Sequence, residues 1–139
     1  MFVIKEARIN EIEKHLSDLL DQDTKNKGVE FETPIKSEFA FVAYYQNEII
    51  GGITAKNFLG EMKIELLAIR SDYQKQGVGG ALIQKVKESA RKEKCHHLLL
   101  NTFSYQAPNF YLKNGFEQLA KIDNFPKEGL SKYTLIYFL

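Results

Sequence analysis

The sequence predicts one α/β domain over residues 1–139, built on a mixed β-sheet with helices on its faces. Apolar residues alternate with a period of two in some segments and recur at helical spacing in others. These segments follow one another as strand, helix, three strands, helix, strand, helix and two strands. Because strands and helices do not alternate strictly, a doubly wound parallel sheet is excluded. The length of 139 residues suits a single domain with its own core.

The first predicted elements are a short strand and an amphipathic helix. We expect the strand at Phe2–Arg8 and the helix over residues 10–22. The helical spacing places five apolar side chains on one face, namely Ile9, Ile12, Leu16, Leu19 and Leu20. Residues 24–37 are predicted to be irregular, because Gly28 and Pro34 break regular structure there.

Three strands form the next block. Residues 38–58 predict a hairpin around a polar turn at residues 46–48, and residues 61–69 predict a further strand. The helix that follows has an apolar stripe of Val78, Leu82, Val86 and Ala90. Its charged residues are expected in solvent, namely Lys85, Lys87, Glu88, Arg91 and Lys92. The remaining predicted elements are a strand at 96–103, a short helix at 107–115, and strands at 116–122 and 132–139.

Composition and charge exclude several classes of function. The net charge of +1 provides no field that would favour nucleic acid or an anionic membrane surface. No apolar run reaches the roughly 20 residues that span a bilayer. The lone cysteine, Cys95, fits a reducing compartment, so we expect a cytoplasmic protein. Cys95 and the two histidines after it do not predict a metal site, since adjacent strand residues point to opposite faces.

A cluster of glycines lies between the strand at residues 61–69 and the next helix. We call the run Gln74-Lys75-Gln76-Gly77-Val78-Gly79-Gly80 the glycine turn. The N–H groups at a helix start lack partners and carry partial positive charge, so glycines there predict an anion site. The dinucleotide motif would need a glycine where Leu82 stands, and the P-loop would need a lysine after Gly80. The alternative is that the glycines only permit a tight turn.

Two segments together resemble the GNAT superfamily of N-acetyltransferases. In the first, Gln74, Gly77 and Gly79 fill the family's acetyl-CoA-binding pattern, after a strand that ends in Leu-Ala-Ile. The second, residues 102–117, contains "APNFYLKNGF", which is similar to the family's later motif. The element order matches across nearly the whole chain, although residues 1–37 match only in element type. Ser104 stands where many members carry an asparagine that contacts the cofactor.

The resemblance implies a particular sheet and a particular cofactor. The implied GNAT-like fold has a central, mostly antiparallel, twisted sheet that splays between its fourth and fifth strands, with helices on both faces. Acetyl-CoA is the implied cofactor, bound between the splayed strands. The residues implied to contact it are Leu67, Ala68, Ile69, Gln74, Lys75, Gln76, Gly77, Val78, Gly79, Gly80, Ser104 and Asn109. A backbone N–H near Ile69 is implied to bind the acetyl oxygen.

Two side chains are the predicted catalytic residues. Tyr111 matches the family's acid, which would protonate the departing thiolate, and its alternative is a plain core tyrosine. Glu65 lies between apolar residues on the strand at 61–69 and would take the proton of the amine through a water. The alternative for Glu65 is a solvated carboxylate on the outward face, and Glu61 is a second choice of base.

We therefore predict an acetyl-CoA-dependent N-acetyltransferase in which a primary amine attacks the thioester directly. The alternatives are a catalytically silent acyl-CoA-binding sensor and an enzyme that uses a longer acyl-CoA. The acceptor is a small-molecule or protein amine. Five carboxylates interleaved with three lysines hint at a cationic acceptor, namely Asp21, Asp23, Glu30, Glu32 and Glu38. Members of this family commonly form dimers through sheet edges, so the resemblance also implies a homodimer.

Overall fold

The computed structural model describes residues 1–31 and 36–139, and the chain divides into two compact units, Met1–Pro34 and Ile35–Leu139. Glu32 and Pro34, which entered the predictions, lie outside the described residues. The single domain over residues 1–139 stays a prediction. None of the helices in the described part of the chain is long and apolar enough to cross a membrane.

The smaller unit contains one helix, α1, which spans Ile9–Asn26. The predicted strand Phe2–Arg8 is wrong, because residues 1–8 form no regular secondary structure. A strand needs a neighbouring strand for its backbone hydrogen bonds, and residues 1–31 contain none. The predicted helix is confirmed and runs past its expected end to Asn26. None of the residues of α1 is buried.

The larger unit is built on a six-stranded mixed sheet. Its strands are β1 (Lys36–Tyr45), β2 (Glu48–Phe58), β3 (Glu61–Ile69), β4 (His97–Phe103), β5 (Glu117–Asp123) and β6 (Ser131–Phe138), in the spatial order β1-β2-β3-β4-β6-β5. Among these strands only β3 and β4 pair in parallel, so the predicted mixed, mostly antiparallel sheet is confirmed. The predicted hairpin is also confirmed, since Gln46 and Asn47 adopt the positive φ angles of a two-residue turn.

Two helices accompany the sheet in this unit, α2 at Val78–Lys92 and α3 at Pro108–Lys113. The predicted apolar stripe of α2 packs on the sheet through Leu82, Val86 and Ala90. The sheet contributes core side chains that include Ile53, Met62, Leu98, Leu100 and Leu135. The predicted flanking helices are confirmed in this unit. Coverage of both sheet faces involves α1 and stays a prediction.

One charged residue of α2 is not in solvent. Lys87 is only 8% exposed, so its predicted place on the solvated face is wrong. Its Nζ donates a hydrogen bond to the backbone oxygen of Asn114 (2.7 Å) and lies 3.9 Å from the ring centroid of Tyr137. A buried ammonium needs such partners, because an unpaired charge is costly away from water. Lys87 therefore fastens α2 to the end of α3.

Candidate active site

The parallel pairing of β3 with β4 stops after three residue pairs. Residues 61–63 lie opposite residues 97–99, and no further pair follows. The splay was predicted between the fourth and fifth strands counted from the sequence, which are β3 and β4 because the predicted first strand is absent. The predicted splay is therefore confirmed. Beyond Lys63 the strands enclose a cleft of about 340 Å³. Its walls come from residues 64–69 of β3, residues 100–102 of β4, and the side chains of Gln74, Gln106 and Tyr111.

A β-bulge shapes the middle of β3. Leu66 lies opposite Thr54 and Ile64 lies opposite Ala55, so Glu65 is the extra residue without a partner on β2. Glu65 is exposed, as alternation after the buried Ile64 requires, and the bulge leaves Leu66 exposed beside it. Glu65 lines the cleft. It also lines an open hollow of about 690 Å³ over β1–β3, which we call the outer hollow.

The edge of β3 presents backbone groups to the cleft. The N–H of Arg70 donates to the oxygen of Ile50 on β2 (2.8 Å). Because backbone direction alternates along an antiparallel strand, the backbone groups of Leu67 and Ile69 point away from β2 and into the cleft. The carbonyl of Ile69 accepts a hydrogen bond from Nε2 of Gln74 there (3.1 Å). This edge can pair with an extended ligand that carries amide groups.

The glycine turn leads from the cleft to the start of α2. Gly77 precedes the helix with a φ of +85°, in the left-handed region that favours glycine. Nothing lies within 4 Å of the place where its Cβ would be, and no side chain of the described residues caps the helix. The N–H groups of residues 78–80 have no partner inside the helix, and the helix dipole makes this end partly positive. An anion fits there.

The other two glycines of the glycine turn serve packing. A Cβ on Gly79 would lie 2.7 Å from Cζ of Phe110, and one on Gly80 would lie 3.3 Å from Oδ1 of Asn114. Phe110 belongs to α3, and Asn114 is the first residue after that helix. Glycine at these positions lets α2 and α3 approach closely. Gly79 and Gly80 therefore have a packing role that was not predicted, and their contact with a cofactor stays a prediction.

A charged brace, not predicted from the sequence, fixes the approach to the glycine turn. The guanidinium of Arg70 donates to both carboxylate oxygens of Asp72 (2.7 and 3.0 Å) and to Glu48 (3.1 Å), and lies 4.8 Å from the ring centroid of Tyr73. Hydrogen bonding to Arg70 holds the pKa of Asp72 below its ordinary value, and Asp72 and Glu48 raise the pKa of Arg70. These groups are exposed, so the brace sets conformation more than stability.

Tyr111 lies on α3 at the wall of the cleft. Its ring is half-buried and packs edge-on against Phe110 and Phe116, at centroid distances of 5.1 and 5.9 Å. Burial raises the pKa of the phenol above its ordinary value of 10, because the charged phenolate would lose its water. The phenol therefore stays protonated at neutral pH and can donate a proton to an atom in the cleft.

Besides residues 75–80 of the glycine turn, two predicted cofactor contacts lie outside the cleft lining. The hydroxyl of Ser104 accepts a hydrogen bond from the N–H of Ser131 (3.0 Å), and Asn109 is exposed on α3. Their contact with a cofactor stays a prediction. Three polar residues that were not predicted, Asn101, Thr102 and Gln106, line the cleft instead. Asn101 interrupts the apolar run of β4, which is the signal that could have identified it.

The second candidate base, Glu61, belongs to the paired end of β3. Its Oε1 lies 2.9 Å from Nε2 of His97, and it does not line the cleft. Cys95 is buried, and burial raises the pKa of its thiol, so it is a poor nucleophile. In the described part of the chain, no three His, Cys, Asp or Glu side chains are placed to hold a metal ion.

Known proteins with similar sequences are acetyltransferases. Residues 36–118, more than half of the chain, match the family model described as Acetyltransferase (GNAT) domain. Streptothricin acetyltransferase A of Bacillus subtilis (strain 168) is 39% identical over 80 residues, which are 55% of this chain and 46% of that enzyme. Blasticidin-S acetyltransferase of Streptomyces morookaense is 25% identical over 104 residues, 74% of this chain and 76% of that enzyme. The first match thus spans less than half of its enzyme.

Solved structures share the fold. An acetyltransferase from Bacillus cereus ATCC 14579 has a TM-score of 0.81 at 23% identity, over 100% of this chain and 98% of that chain. A protein from Bacillus anthracis str. Ames, solved in complex with acetyl coenzyme A, has a TM-score of 0.66 at 23% identity, over 82% of this chain and 67% of that chain. The predicted GNAT domain is confirmed by the family model. The chain belongs to the GNAT family of acetyltransferases.

Proposed function

We propose that this protein transfers the acetyl group of acetyl-CoA to a primary amine, by direct attack of the amine on the thioester. One observation carries the proposal: the free edge of β3 and the phenol of Tyr111 share a cleft that the glycine turn joins to the open start of α2. A donor with phosphates at one end and amides along its arm suits the helix start and the strand edge. A departing thiolate suits the phenol.

Backbone groups are proposed to hold the donor over most of its length. The N–H groups of residues 75–80 suit the pyrophosphate, and the edge from Leu67 to Ile69 suits the amides of the pantetheine arm. The N–H of Ile69 suits the acetyl oxygen, on which negative charge develops during the reaction. The bound thioester supplies a carbonyl carbon that is open to attack.

Tyr111 is the proposed acid and Glu65 the proposed base. The phenol of Tyr111 is protonated at neutral pH and faces the cleft, so it can protonate the sulfur as it departs. Glu65 lines both the cleft and the outer hollow. An ammonium that approaches from the outer hollow passes this carboxylate, which can take its proton through a water.

A small-molecule amine is the proposed acceptor. Both curated relatives are named for streptothricin or blasticidin-S rather than for a protein. Glu38 and Glu65 line the outer hollow, and their carboxylates favour a positively charged acceptor. Nζ of Lys56 lies 3.9 Å from a carboxylate oxygen of Glu38, so it offsets part of that charge. A silent sensor is disfavoured because the matched relatives are named as enzymes. The cytoplasmic location and the homodimer stay predictions.

Replacing Tyr111 by phenylalanine removes the acid and keeps the ring. We expect kcat to fall by roughly 10²-fold or more, the usual contribution of a positioned acid, with the Kd of acetyl-CoA unchanged. Thiol release with streptothricin, blasticidin-S and an alanyl peptide as acceptors measures turnover, and calorimetry measures binding. Tyr137→Phe is the matched control, because Tyr137 is also half-buried and lies outside the cleft. Wild-type protein that binds acetyl-CoA but acetylates no amine would favour the sensor.

Replacing Glu65 by glutamine keeps the shape of the side chain and removes its charge. If Glu65 deprotonates the amine, kcat/KM should fall at neutral pH and recover above about pH 10, where an alkylamine is already neutral. The pH dependence of kcat/KM measures this difference. Glu38→Gln is the control within the same outer hollow. An equal loss at every pH would show that Glu65 does not act as a base.

Replacing Gly77 by alanine tests the glycine turn. Alanine in the left-handed region costs roughly 1–2 kcal/mol of folding free energy. Gly129 has the same φ of +85° and equally open surroundings, so Gly129→Ala is the matched control. We expect similar losses in urea unfolding for both. Gly77→Ala alone should weaken coenzyme A binding in calorimetry, by about tenfold, the value of one lost hydrogen bond to a charged group. Equal affinities in the two variants would contradict the assignment.

A further inference from the structure

Three aromatic side chains stand together at the end of β4, outside the core. We call Phe103, Tyr105 and Phe125 the aromatic rim. The rings of Phe103 and Tyr105 are stacked, with centroids 5.7 Å apart and planes at 10°, and the ring of Phe125 lies 6.1 Å from that of Phe103. Tyr105 is 62% exposed and Phe125 is 46% exposed. Exposed rings grouped in this way are typical of a ligand-binding or interaction surface.

The aromatic rim adjoins the cleft. Thr102 and Gln106, which flank Phe103 and Tyr105 in the chain, both line the cleft. Oε1 of Gln106 accepts a hydrogen bond from the N–H of Phe103 (3.0 Å), which ties the cleft wall to the aromatic rim. A molecule that reacts in the cleft can therefore place a second group on the aromatic rim.

The aromatic rim lies on the face of the sheet that α2 does not cover. Side chains alternate along β4, and Leu98 and Leu100 belong to the core on which α2 packs, so Phe103 belongs to the opposite face with Asn101. Glu65, the proposed base, is also exposed away from the core. The glycine turn, proposed to take the donor, leads into α2 and includes its first three residues. The donor and the aromatic rim are thus on different faces, which leaves the aromatic rim to the acceptor.

Hydrogen bonds in the loop after β5 hold Phe125 in place. Its N–H donates to the oxygen of Leu130, and Oδ1 of Asn124 accepts from the N–H of Gly129, at 3.1 Å each. Because these bonds order the backbone at Phe125, less freedom is lost when a ligand stacks on its ring. Nζ of Lys132 lies 5.8 Å from the ring centroid of Phe125, within the range of a cation–π contact.

We propose that the aromatic rim selects the acceptor, and that the acceptor carries a planar cationic group besides its primary amine. This inference rests on the proposed function, since the planar group stacks on the aromatic rim while the amine reaches Glu65. A guanidinium-like cation suits these rings because it is flat, delocalised and weakly hydrated, whereas an ammonium is compact and strongly hydrated. The carboxylate of Glu65 attracts a guanidinium and an ammonium alike, so the rings and not this carboxylate would distinguish the two cations.

Agmatine and butylamine test the selection, because both are primary amines and only agmatine carries a guanidinium. At saturating acetyl-CoA we expect kcat/KM to be about fivefold higher or more for agmatine, the size of an exposed cation–π contact. Phe125→Ala and Tyr105→Ala should bring this ratio toward one and leave the KM of acetyl-CoA unchanged. Tyr44→Ala is the matched control, because Tyr44 is 64% exposed on β1. Melting temperatures verify that all variants are folded.

An unchanged ratio in the folded variants would overturn the selection. Wild-type protein that acetylates other amines but not agmatine would overturn it as well. So would a wild-type dimer that dissociates in Phe125→Ala during sedimentation, since the aromatic rim would then be a contact between two copies of the chain. Acetylation of no amine at all would overturn the proposed function and the selection together. An unchanged ratio would overturn the selection alone, so the two failures are distinguishable.

Discussion

Three residue pairs hold β3 to β4, and the site depends on where that pairing stops. If the ladder continued, β4 would satisfy the backbone groups of Leu67 and Ile69, and no cleft would exist. The bulge at Glu65 bends β3 just past the last pair. The contact between Glu61 and His97 lies at the paired end. One sheet therefore supplies a buried core at one end of these strands and a binding edge at the other.

α2 connects the anion site to the phenol. Its start closes the glycine turn, and its middle holds the end of α3 through Lys87. Phe110 of α3 packs over Gly79 of α2, and Tyr111 is the next residue. The position of the phenol in the cleft is thus set by the same helix that is proposed to bind the pyrophosphate. The proposed donor-binding groups and the proposed acid thus form one packed unit, while Glu65 and the aromatic rim lie on the other face.

Features that depend on neighbours in the chain were predictable from the sequence. The hairpin turn, the apolar stripe of α2 and the place of Tyr111 follow from turn chemistry, helical periodicity and motif spacing. Features that depend on distant segments were not predictable. The burial of Lys87 requires the end of α3 beside it, and the steric role of Gly79 requires Phe110 above it. The strand composition of Phe2–Arg8 was misleading, because composition does not supply a partner strand within residues 1–31.

Amide hydrogen exchange with and without acetyl-CoA tests whether the β3 edge and the glycine turn bind the donor, because it reports on their backbone N–H groups. We expect slower exchange at Leu67, Ile69 and residues 75–80, where a strand edge and a helix start would gain partners. The amides of β5, at the far edge of the sheet, should exchange unchanged and serve as an internal reference. Acetyl-CoA that binds without protecting either the β3 edge or the glycine turn would show that these backbone groups do not hold the donor.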